Sequence, residues 1–144
     1  MQSKNKAAAN GILSRYLKSL YDKKLSLLAE HSYYAIICRE EYPYVAEIFE
    51  AVVASDISHF KALGELLTSL GIDPGADIRI RQRGGRGEKI DKIIAAALDS
   101  HRREMGSVER IHSLTDDPRI CEAADSMRAQ MSEHIKIFER LLRS

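Results

Sequence analysis

Chain breakers are confined to a few places in this 144-residue sequence, and that confinement restricts the fold more than any other feature. Prolines stand only at 43, 74 and 118. Seven of the eight glycines fall outside residues 12–70, and five of them crowd into 71–87. Four long segments remain between the breakers. In each, apolar residues recur at steps of three and four, the repeat of one helix face.

The first segment carries Leu13, Leu17, Leu20, Lys24, Leu28, His31, Ala35 and Cys38 in one stripe. The second starts at Pro43, a favoured residue for a first helical turn, and its stripe runs Val45, Phe49, Val52, Asp56, His59, Leu63, Leu66, Leu70. Gly71 is placed to cap its end. The third carries Ile90, Ile94, Ala97, His101, Met105, Val108 and His112; the fourth carries Ile120, Ala124, Met127, Met131, His134, Phe138 and Leu141. Between them, Thr115-Asp116-Asp117-Pro118 supplies a turn, an N-cap and a proline at the first helical position. The expected helices span about 13–40, 43–70, 89–114 and 118–142, with a crossover over 71–88.

Short links join helices one to two and three to four, so each pair is expected to be antiparallel. The longer link between helices two and three could carry the chain the length of a bundle. The fold expected is therefore all-α: a single domain over 1–144, an antiparallel four-helix bundle with one crossover. Within the crossover, IRIR (78–81) could form a brief extended stretch.

Composition narrows the class. Lys and Arg number 22 against 21 Asp and Glu, a net charge of +1, which argues against a globally basic nucleic-acid binder. No apolar run approaches the ~20 residues of a membrane span, and the N-terminus lacks the apolar core of a secretion signal. Cys38 and Cys121 match no CxxC spacing, so a cytoplasmic, reduced protein is expected.

Polar residues interrupt the stripes where the core should be: Lys24, Asp56, His59, His101 and His134. Burying such groups without partners costs several kcal/mol, so they need each other, a ligand or a route to solvent. Their depths agree. His101 lies 15 residues before Asp116 and His134 18 after; Lys24 lies 18 before Tyr42, with Asp56 and His59 14 and 17 after. At a rise of ~1.5 Å per residue, each set is level to about one turn. All five are expected near mid-bundle. His31 and His112 lie about two turns away and read as satisfied core or helix-end histidines.

These residues carry a resemblance. The pattern over roughly 13–142 resembles the ferritin-like, rubrerythrin-like di-metal carboxylate proteins. VAEIFEAVVASDISHFKALGELLTSLGIDP is similar to the second helix of small bacterial ferritin-like domains, where Glu-x-x-His precedes a leucine-rich ending, and HIKIFERLL is similar to the segment holding the family's second histidine. In that family two helices give one Glu each and the other two give Glu-x-x-His each. Here the resemblance puts Lys24 and His101 at the single-Glu positions, Asp56-x-x-His59 at the first motif and Met131-x-x-His134 at the second. Only His59 and His134 match outright. Glu104, one turn after His101, is the reserve ligand if the register shifts.

One carboxylate and a lysine cannot balance two divalent cations, so the expected function is a ferritin-like protein with a decayed di-metal site, without ferroxidase or peroxidase activity. Lys24 would then pair with Asp56 and stand in for the metal. The alternative is a mononuclear metal protein or metalloenzyme built from Asp56, His59, His101 and His134, a set suited to one Zn, Fe or Mn ion. Met131 and Met105 offer a minor copper(I) branch, although methionines at this spacing are usually core filler. A third alternative is a protein or RNA interaction module. Arg79, Arg81, Arg83 and Arg86 cluster in the crossover, but with no interleaved aromatics a solvated loop is the simpler reading and nucleic acid is not the expected partner. Tyr33, Tyr34, Tyr42 and Tyr44 around the first turn suit a subunit interface, and the resemblance implies a homodimer.

Overall fold

A computed structural model of the chain describes residues 2–75 and 87–143, with side chains from residue 11 on. Among the described residues the secondary structure is entirely helical, in the order α1 (Gln2–Cys38), α2 (Pro43–Ser69), α3 (Ile90–Glu109), the single turn α4 (Ile111–Leu114) and α5 (Pro118–Arg143). Four long helices are compatible with a four-helix bundle. None is long and apolar enough to cross a membrane.

The ends follow local chemistry. Pro43 opens α2. At its close, Ile72 N–H donates to Leu67 O at 2.9 Å and Gly71 N–H to Thr68 O at 3.0 Å. These are the paired bonds of a Schellman cap, with Gly71 at φ +78°. Ahead of α5, the Asp117 carboxylate accepts from Arg119 N–H at 3.0 Å, which caps the helix that Pro118 begins.

Two boundaries differ from expectation. α1 begins at Gln2 rather than near Leu13, because the preceding stretch, rich in alanine, contains no breaker before Gly11. The expected third helix is interrupted at Arg110, splitting it into α3 and α4. The Tyr16 hydroxyl donates to Ser107 O at 2.5 Å, the carbonyl that Ile111 N–H would use in an unbroken helix. The crossover arginines 79, 81, 83 and 86, and the IRIR stretch, lie outside the described residues.

α1 packs chiefly on α2, and α3 on α5. The apolar core is divided into two blocks. One contains Leu13, Leu17 and Leu20 of α1, Leu63 and Leu67 of α2, Val108 of α3, and Ile120, Met127 and Met131 of α5. The other contains Tyr34 and Ala35 of α1, Phe49 and Val52 of α2, Ile93, Ile94 and Ala97 of α3, and Phe138 of α5. Each large apolar side chain so buried contributes roughly 1.5–3 kcal/mol. Every long helix runs from one block to the other, and each places polar residues between them: Lys24 and His31 on α1, Asp56 and His59 on α2, His101 and Glu104 on α3, and the half-buried His134 on α5.

Candidate functional site

The polar layer between the blocks is deeply buried. Lys24, His31, Asp56, His59, His101 and Glu104 are each 5% exposed or less. Apolar blocks above and below remove water, so each group has to find its partner within the layer.

Lys24, on α1, makes the central contact. Its ammonium donates to Asp56 Oδ1 of α2 at 3.2 Å and to Glu104 Oε1 of α3. The second Asp56 oxygen, Oδ2, lies 2.6 Å from His31 Nδ1 on α1. Three helices are thereby tied through one chain of groups, Glu104–Lys24–Asp56–His31. Two carboxylates thus share the one ammonium.

Burial works against charge on Lys24, but Glu104 and then Asp56 outweigh it and hold the ammonium above its ordinary value. Burial likewise opposes charge on Asp56. The His31 hydrogen bond and the Lys24 charge overcome that and hold the carboxyl below the usual range. The pair is therefore ionised, and His31 presents a donor N–H from Nδ1 to the carboxylate.

His101 lies against His31, ring centres 5.2 Å apart. Its Nδ1 donates to Ala97 O at 2.8 Å, which fixes the tautomer because a carbonyl only accepts. Burial, and then the neighbouring His31, push its pKa down to about 3, so the ring is neutral. His134 lies edge-on to it, with ring centres 5.7 Å apart. His134 is half-buried, and burial lowers its pKa too.

His59 takes a different direction. Its Nε2 lies 2.5 Å from Gln130 Oε1, to which Ser55 Oγ also donates at 2.8 Å. Burial first and Lys24 second push its pKa down to about 4. Among the sequence-selected residues, then, Lys24, Asp56 and the reserve Glu104 are in direct contact, His101 and His134 form a ring pair, and His59 turns to Gln130. Met131 lies in the first apolar block, 1% exposed. His112 is at the surface, paired with Asp125 at 2.8 Å. The cysteines are free thiols, Cys38 buried and Cys121 partly so.

His31 is the residue that level-matching missed. By the same arithmetic Asp56 is level with Leu28, between Lys24 and His31. Cα–Cβ bonds tilt toward each helix's own N-terminus. His31 therefore leans back toward Leu28 while Asp56 leans toward the Tyr42 turn, and the two side chains meet. Lys24 covers the remaining distance with its long stem.

The donors do not fit a di-metal carboxylate centre. The layer brings together two carboxylates, Asp56 and Glu104, and both are engaged by the Lys24 ammonium. Two divalent ions there would face an adjacent fixed cation and too little negative charge. Among the described residues, no three His, Cys, Asp or Glu side chains as they stand converge to hold a metal ion. Comparison of the chain with family models, curated proteins and solved structures finds no match.

Proposed function

We propose that this chain is a ferritin-like four-helix bundle in which an internal ammonium has taken the place of the di-metal centre, and that it carries no ferroxidase or peroxidase chemistry. The observation that carries this reading is the contact of Lys24 with both Asp56 and Glu104 in the buried layer. A tethered cation there satisfies the carboxylates that a metal would otherwise bind.

The order of the core blocks supports the ferritin-like arrangement. α1 and α5 run from the first block to the second, whereas α2 and α3 run from the second to the first. That order is the one expected of two antiparallel hairpins joined by a crossover between α2 and α3. The mononuclear alternative on Asp56, His59, His101 and His134 is less well supported, because both Asp56 oxygens already have partners. A cytoplasmic homodimer through the first hairpin is the accompanying reading. Ile36 and Tyr44, 64% and 67% exposed near that turn, support it.

Metal content and activity test the proposal together. Protein stripped with chelator should keep its helicity and cooperative melt, and should not accelerate Fe(II) oxidation. Two Fe or Mn ions bound per chain, with oxidase turnover, would overturn it.

A further inference from the structure

His31 holds a buried nitrogen that the Lys24 network does not use. Its Nδ1 faces Asp56, and its Nε2 has no hydrogen-bond partner. Beside it, His101 is fixed with Nδ1–H on a backbone carbonyl, so its Nε2 carries a lone pair. Two imidazoles oriented in this way, each anchored through Nδ1 by an oxygen, are what metal-binding histidines require of their surroundings. Ring spacing is compatible with this for the two adjacent pairs. With metal–nitrogen bonds of about 2.0–2.1 Å, two imidazoles on one tetrahedral ion put their ring centres roughly 5 Å apart. The rings of His31 and His101 are 5.2 Å apart, and those of His101 and His134 are 5.7 Å apart.

We propose that His31, His101 and His134 form a mononuclear site for a divalent cation of the Zn(II) class, closed by rotation of His134 onto the ion. Rotation is needed because the three nitrogens do not yet converge. His134 can supply it: the ring is half-buried and, among the described residues, makes no hydrogen bond. Its partial exposure also gives the ion a way in. Three imidazole ligands suit a borderline cation better than Mg(II) or Ca(II). The Asp56 carboxylate, bonded to His31 Nδ1 at 2.6 Å, offsets part of the ion's charge. The site goes beyond the Lys24 reading, since it leaves that network intact and draws on His31, which no di-metal arrangement of this sequence includes.

Co(II), a spectroscopic stand-in for Zn(II), tests the site in the full-length, chelator-stripped chain. The expected result is one Co(II) per chain with the visible absorption of a four-coordinate ion, displaced by Zn(II). His134→Ala and His101→Gln should each weaken binding by at least about 100-fold, since losing a ligand exceeds the loss of an outer partner. His59→Ala should leave it unchanged. Because His134 is partly exposed, His134→Ala is the variant that decides if His101→Gln fails to fold. Absence of stoichiometric Co(II), an unaltered spectrum in His134→Ala, or equal loss in His59→Ala would overturn the site while leaving the Lys24 reading in place. Two Co(II) per chain would overturn both.

Discussion

Lys24 Nζ on α1 stands 3.2 Å from Asp56 Oδ1 on α2, in a layer closed to water by apolar blocks on both sides. The same ammonium is bonded to Glu104 of α3. A buried ion pair of this kind is often no more stabilising than apolar packing of the same volume, yet breaking one from a single side is costly. The consequence is asymmetric: removing only the cation is far worse than removing all three charges.

Lys24→Met should therefore destabilise the fold by about 3–5 kcal/mol, because Asp56 and Glu104 are left unpaired in the core. For a chain of this size that lowers the melting temperature by roughly 2–4 °C per kcal/mol. Adding Asp56→Asn and Glu104→Gln to Lys24→Met should restore much of the loss. Thermal melts followed by circular dichroism distinguish the cases. A single variant as stable as the wild type would mean that Lys24 does not neutralise these carboxylates.

Lys24→Glu should do more than destabilise. It replaces the tethered cation with a third carboxylate beside Asp56 and Glu104, so the layer becomes strongly negative and needs a counter-ion. Stability should become dependent on Mn(II) or Fe(II), and affinity for divalent metal should rise above that of the wild type. Melting temperature against metal concentration reads this directly, since a ligand that binds only the folded state stabilises by RT ln(1 + [L]/Kd). Unchanged or weaker metal binding would mean that position 24 does not face the site.

Much of this arrangement is legible in the residue pattern, and the reasons for the remainder are physical. Stripes at steps of three and four identify the four long helices, and Pro43, Gly71 and Pro118 mark ends that the structure keeps. Level-matching brings Lys24 and Asp56 together, because depth along paired helices depends only on rise per residue. His31 falls outside that match because it lies two turns from Lys24, although the Asp56 level, at Leu28, is only three residues from it. It leaves Glu104 in reserve because His101, one turn earlier on the same face, competes for the same level. At the break near Arg110, Tyr16 bonds the Ser107 carbonyl across 91 residues, a contact with no local signal. His59 turning to Gln130 is likewise set by tertiary packing.

Gly71→Ala should cost about 1–2 kcal/mol. The position has φ +78°, where a Cβ crowds the following carbonyl. No heavy atom lies within 4 Å of an added Cβ apart from the immediate neighbours, so the penalty is conformational and not a collision with the core. Equilibrium denaturation in urea should show a lowered midpoint with an unchanged slope. An unaltered midpoint would indicate that the cap contributes nothing to holding the end of α2.

Acid should unfold the chain through its histidines before its carboxylates. His59 and His101 have folded pKa values of about 4 and about 3, against 6.5 for the free side chain. Between those values the unfolded chain binds protons that the folded chain refuses, so stability falls as pH falls. The contribution is fully present above pH 6.5 and is lost progressively down to about 4 and about 3. Each histidine costs on the order of 1.4 kcal/mol per pH unit inside its window. His134 adds to the same trend, and Asp56, held below its ordinary value, extends it under pH 3.8. Lys24 acts in the opposite range: its contribution persists below pH 10.5 and is lost as pH rises through its raised folded value. Melts of chelator-stripped protein from pH 8 to pH 4 should show a plateau followed by a fall steeper than one proton, shallower in His101→Gln. A flat profile between pH 7 and pH 5 would mean that these rings are not held neutral in the core.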